Sequence, residues 1–111
     1  MSVAPTSLYM LRAEHFSDKI GHRFDLETPA GTAPLVLAKV DAGTEPIFSG
    51  TDRVPFTLVF IGPHAEPGTG HCMMNLRHRT LGLIEGIFIG PNLGTMETEW
   101  GKGQIWSATF T

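Results

Sequence analysis

Between Val54 and Pro63 the chain reads Val-Pro-Phe-Thr-Leu-Val-Phe-Ile-Gly-Pro, and this stretch limits the rest of the fold more than any other. Phe56, Leu58 and Phe60 recur at every second position, which places three large apolar side chains on one face of a strand. Thr57, Val59 and Ile61 put β-branched residues on the other face, where they suit a pleated surface. A strand with two such faces is buried at least in part on both, as in the middle of a sandwich or barrel. Pro55 marks its entry and Gly62-Pro63 its exit, because proline cannot donate to a central ladder.

The same punctuation recurs along the chain. Thirteen glycines and eight prolines separate short apolar runs, the composition of an all-β protein with tight turns. With 111 residues there is room for one core, so residues 1–111 form a single β domain with 1–10 as a loose N-terminal arm. A chain of this size buries roughly two-thirds of its unfolded surface, enough to be stable without metals or disulfides. Leu8, Leu11, Phe16 and Ile20 fall near helical spacing ahead of Gly21. This predicts a short helix at about 11–20 that covers one open end, held by Phe16 because so short a helix is marginal alone.

The pattern then predicts a strand over 22–27, with Phe24 and Leu26 inward, and a turn over 28–32. A second strand starts at Pro34, in which Leu35, Leu37 and Val40 share a face with imperfect alternation. Residues 41–52 read as a loop pinned by Phe48, and 63–70 as a polar loop. Residues 70–78 form a strand with Cys72, Met74 and Leu76 on one face and Met73, Asn75 and Arg77 on the other. Leu83–Ile89 is a further strand, stopped by Gly90-Pro91-Asn92-Leu93-Gly94. The last strand, about 103–110, has Trp106, Ala108 and Phe110 on one face. The expected fold is thus a small antiparallel barrel or sandwich of about six strands with one short N-terminal helix. The final strand is expected to form an open edge able to accept a strand from another chain.

The chemistry of the side chains points away from catalysis. A net charge of −3 gives no basic footprint for nucleic acid. No run approaches the ~20 apolar residues of a bilayer span, and residues 1–10 lack the basic and apolar regions of a signal peptide. Synthesis in the cytoplasm is expected. His64, His71 and His78 are spaced by seven, but in an extended chain that odd offset alternates faces, and no zinc-binding spacing is present. The five histidines are therefore expected at surface or half-buried positions without a metal. Cys72, the only cysteine, is expected as a buried small hydrophobe, with an intermolecular disulfide or a reactive thiol as the alternatives. His71 points away from Cys72, and the serines, Ser107 among them, lack a nucleophile elbow. Glu97 and Glu99 read as solvated carboxylates, and Gly68-Thr69-Gly70 as a hairpin loop without the lysine of a phosphate loop. Trp106 is expected to face a core layer, its N–H seeking a partner. Trp100 either marks a contact surface at a turn or folds back over the end of the sheet.

Read to its end, the chain resembles an uncharacterised bacterial family of about this length, known only as a domain of unknown function. The resemblance rests first on Leu11, Phe16, Gly21 and Phe24, then on Phe56, Leu58, Phe60, Gly62 and Pro63. It continues through Leu76, His78, Leu81 and Gly82, through Phe88, Ile89, Pro91 and Gly94, and closes on Trp106, Ala108 and Phe110. It departs after the Gly-Pro, where a Pro-Leu-x-Gln-Gly-x-Tyr run is usual and residues 67–73 differ. Genes of that family often lie beside phage-tail-collar-like proteins. The resemblance therefore implies a part in a phage-tail-like or exported assembly, with tail-collar-like subunits or further copies of the chain as partners.

The expectation is a non-enzymatic structural or assembly protein without cofactors, working through protein contacts. Trp100, Trp106 and Phe110 are its candidate interaction surface, and Phe56, Leu58, Phe60, Gly62 and Pro63 its fold-keeping residues. The alternative is a small-ligand-binding barrel lined by Met73, Met74, Trp106 and the helix. A hydrolase comes third.

Overall fold

A computed structural model describes residues 13–29, 31–42, 56–65 and 69–110. They form α1 (Glu14–Ser17), β1 (Arg23–Thr28), β2 (Gly31–Ala42), β3 (Phe56–Gly62), β4 (Cys72–His78), β5 (Gly82–Thr98) and β6 (Gly101–Phe110). The strands make two antiparallel meanders, β1–β2–β3 and β4–β5–β6. The meanders join edge to edge twice, β3 to β6 and β1 to β4, so the sheet closes as a barrel in the order β1-β2-β3-β6-β5-β4. Of the two expected architectures, barrel and sandwich, the closed ladder is the barrel. Closure also overturns the expected open edge: β6 pairs with β3 on one side and β5 on the other. Its backbone groups are satisfied within the chain, and it offers no template for an added strand.

Three irregularities shape the barrel. On β2, Leu37 pairs with Phe60 and Lys39 with Val59, leaving Ala38 as an extra residue. Such a bulge reverses the alternation beyond it, so Val40 faces the core as Leu35 and Leu37 do. On β5, Ile84 pairs with Leu76 and Ile87 with Met74. Glu85 and Gly86 therefore stand opposite Asn75 alone, with Gly86 at φ 68°, a conformation costly for any side chain. Further along β5, Pro91 pairs with Trp106 and Thr95 with Gln104. The extra residues there absorb the proline, which is tolerated at a bulge. The expected stop at Gly90–Gly94 is thus a correction: β5 bends there and continues to Thr98.

The barrel's interior is filled. Phe24, Leu26, Leu35, Leu37, Leu58, Phe60, Leu76, Ile84 and Ile89 are fully buried in one cluster with Phe56, Trp106, Ala108 and Phe110. Phe56, Leu58 and Phe60 all lie in this buried cluster. Gly62 has its own reason to be glycine: a Cβ there would run into the Leu35 side chain and stand 3.1 Å from the Trp106 ring. The indole Nε1–H of Trp106 donates to the Pro63 carbonyl at 3.1 Å, supplying the partner its sequence position called for.

The helix is shorter than its sequence pattern, covering Glu14–Ser17 and ending well before Gly21. A single turn has too few hydrogen bonds to stand alone, and Phe16 anchors it as expected. That ring is fully buried and packs on Phe24, Phe56 and Phe110 at centroid distances of 6.3, 5.7 and 5.9 Å. Gly21 keeps a positive φ of 89° but serves to return the chain to the sheet, its N–H donating to the Leu37 carbonyl at 2.7 Å. Strand boundaries also shift by a few residues. β2 begins at Gly31 and runs to Ala42 instead of ending before Asp41, β4 begins at Cys72, and β6 begins at Gly101. The N-terminal arm, residues 11–12, the loop with Phe48, and Val54-Pro55 lie outside the described residues.

Candidate functional site

The bulge at Glu85–Gly86 decides what the outer wall of the barrel displays. Without it, the alternation from Ile84 would carry Phe88 inward. With one residue added, Ile87 and Ile89 turn to the core and Phe88 stands 50% exposed. Asn75 holds the bulge closed, its Oδ1 accepting the Gly86 N–H at 3.0 Å. Directly across the ladder from Phe88 is Met73, 64% exposed. His71 completes the patch. Its ring lies 5.6 Å from that of Phe88 and crosses Gly90, where a Cβ would stand 2.6 Å from the His71 Cα and 2.8 Å from its Cγ.

Beyond Gly90, His71 Nε2 is 3.3 Å from Ser107 Oγ, and the Ser107 hydroxyl donates to Asn92 Oδ1 at 2.8 Å. The hydroxyl proton thus points at the amide, and His71 donates to Ser107 from Nε2. The array is an apolar pair with a polar margin on rigid strands, suited to contact. The strand pattern set Met73 on the face opposite Met74, but its expected place in a ligand pocket is overturned by its exposure. The outward Phe88 was not legible, because nothing in a local alternation announces the added residue at Gly86.

The residues singled out from the sequence part company. Trp106 and Phe110 are each 5% exposed, because alternation from Ala108 points all three into the core; this corrects their place on an interaction surface. Trp100, at the β5–β6 turn, combines both readings offered for it. Its indole folds back over Gly21, with Nε1 2.7 Å from where a Cβ would stand, and it remains 41% exposed. Cys72 shares its facing with Met74 and Leu76, as expected, but it begins β4 at the barrel's mouth and is exposed. Burial of the cysteine is thereby overturned.

A groove of about 490 Å³ opens beside Cys72, lined by Ala33, Pro63, Ala65, Met74 and Trp106 with His64 and His71. It follows the end of β3, whereas Phe16 packs at the start of β3, so the helix has no part in it. Met73 points away from it, across the wall. Gln104 braces one side: Oε1 accepts the Ala65 N–H at 2.6 Å and Nε2 donates to the Asn92 carbonyl at 3.1 Å.

Histidine burial also departs from expectation. His78 is 4% exposed, with its ring 4.5 Å from that of Phe24. Its Nδ1 accepts the backbone N–H groups of Thr80 and Leu81, each at 3.1 Å. The ring proton therefore sits on Nε2 and is donated to His22 Nδ1 at 3.1 Å. Burial, then the neighbouring His22, Lys19 and Arg79, push the His78 pKa below its usual value. A metal at Nε2 would want a donor proton at Nδ1, the atom that here accepts two amides. Among the described residues no three His, Cys, Asp or Glu side chains group to hold a metal. No helix among them is long and apolar enough to cross a membrane.

A family model described as "Domain of unknown function (DUF6916)" matches residues 11–99. The chain belongs to that family. The DUF6916 match takes in α1 and β1–β5, including the Asn75–Gly86 bulge and the Met73–Phe88 pair, and ends ahead of β6. No curated protein and no solved structure matches the chain.

Proposed function

We propose that this domain is a non-enzymatic assembly protein that works through protein contacts on the β4–β5 wall, either between its own copies or with tail-collar-like subunits of a phage-tail-like or exported assembly. The observation that carries the reading is the directly opposed Met73–Phe88 pair. Apolar side chains of this size, side by side on a rigid sheet and half or more exposed, are what a contact surface buries at its centre. His71, Ser107 and Asn92 supply the polar rim. The closed barrel removes strand addition as the route, so association runs face to face. The test is molar mass by light scattering, first alone and then with the product of the neighbouring gene co-expressed. A defined oligomer or complex that Phe88→Glu dissolves supports the proposal. A monomer in both settings ends it.

The mouth groove favours a second reading, a small-ligand site. Its volume falls within the ≈ 300–1,000 Å³ of ligand sites, and its lining is mostly apolar with a few polar groups. The filled core confines any such ligand to the mouth. Quenching of Trp106 fluorescence by an apolar probe, lost in Met74→Glu, tests it; an unchanged signal rejects it.

A further inference from the structure

A second cleft, of about 630 Å³, lies on the β1–β4 side of the barrel and is lined by His22, Arg23, Asp25, Arg77, His78 and Arg79 with Gly82. Its charged groups are three guanidiniums and one carboxylate. Asp25 is already engaged, accepting from Arg23 Nε at 2.8 Å. Arg77 spends one nitrogen, Nη2, on Glu27 at 3.3 Å. Arg79 makes no ion pair among the described residues. His22 accepts the His78 proton at Nδ1, which leaves Nε2 as a donor. Nearly every uncommitted polar side-chain group in the cleft is thus a donor, and the balance of charge is positive in a chain whose net charge is −3.

We propose that this cleft binds a phosphoryl-bearing small molecule. Guanidinium forks match the oxygens of a phosphate in pairs. Two or three of them facing one cleft suit a dianion better than the single charge of a simple carboxylate. The cleft is also larger than phosphate alone requires and leaves room for an organic group. Arg77 and Arg79 follow one another on the exit of β4, and the buried His78 between them anchors that segment through Thr80 and Leu81. The donors therefore stand on a fixed backbone.

The test is a titration of isotopically labelled protein with glycerol 2-phosphate and with inorganic phosphate, followed by amide chemical shifts at constant ionic strength. Saturable shifts confined to residues 22–25 and 77–82 are expected, with Kd near ~1 mM or below. Arg79→Gln, an exposed change that should leave the thermal midpoint in place, is expected to raise Kd about tenfold, the loss of one charge-assisted contact. Lys39→Gln, whose ion pair is with Asp41 on the same strand and which does not line the cleft, is expected to leave Kd unchanged. Acetate binding as tightly as the phosphates, shifts that grow linearly with any salt, or an unaltered Kd in Arg79→Gln would each overturn the assignment.

Discussion

Asn75 Oδ1 accepts the N–H of Gly86 at 3.0 Å, and this one contact holds the added residue that turns Phe88 out of the core. It links a strand interior to a surface property: the same bulge that buries Ile87 and Ile89 exposes their neighbour. Replacing Gly86 by valine puts a branched side chain at φ 68° and should cost about 2 kcal/mol or more. Asn75→Ala should cost about 1 kcal/mol through the stranded amide. Urea denaturation midpoints check both, and an unchanged midpoint in Gly86→Val would rule out the bulge as described.

Phe88 itself should matter to association and hardly to folding. Phe88→Ser removes a half-exposed ring and is expected to change stability by no more than about 0.5 kcal/mol, while lowering the molar mass of any oligomer. Loss of stability without loss of association would reverse the assignment of this side chain.

Protonation of His78 opposes folding. Its folded pKa lies below the ordinary 6.5, so the unfolded chain binds the proton more readily. The stability it contributes is complete above about pH 6.5 and is lost as pH falls through the lower folded value. Unfolding free energy is expected to rise as pH climbs from the lowered folded value to about 6.5. His78→Gln should flatten that rise. An identical profile in His78→Gln would show that another group sets the slope.

Gly62 and Trp106 form a unit at the end of β3. Gly62→Ala drives a methyl group into Leu35 and the indole, and overpacking of this kind costs about 1–3 kcal/mol. Trp106→Phe leaves the Pro63 carbonyl without its donor and should cost about 1–2 kcal/mol. Thermal melts of the two variants and the double variant measure their coupling; strict additivity would mean that the two sites act apart.

Phe16 carries α1. Phe16→Ala should cost about 3–5 kcal/mol and speed hydrogen exchange at the Ser17, Lys19 and Gly21 amides, which bond within this segment and to Leu37. Slow exchange there in the variant would show that the turn stands without its anchor.

Much of the fold was legible because it depends on local alternation. Phe56–Ile61, Phe24–Leu26 and Trp106–Phe110 read as strands with the correct inward faces, and Phe16 read as the residue that seals one end. The failures share one cause. Gly90–Gly94 looks like a terminator, yet it is a bend in a strand whose partner, β6, is already in place. Cys72 has the facing of a core residue but stands at the rim. Trp106 and Phe110 share the inward face with Ala108, and their burial became definite only once the closed barrel enclosed that face.

By itself the sequence determined the fold class, the number of strands and most inward faces, since a period of two and the punctuation by glycine and proline act over a few residues. Only the tertiary structure decided closure, the bulges and what lies outside. Closing the ladder joins β3 to β6 and β1 to β4 across long separations, and a single added residue at Gly86 reverses every facing beyond it. The arginine cleft exists because of the β1–β4 pairing, and the Met73–Phe88 pair because of the bulge between β4 and β5; no local alternation contains either.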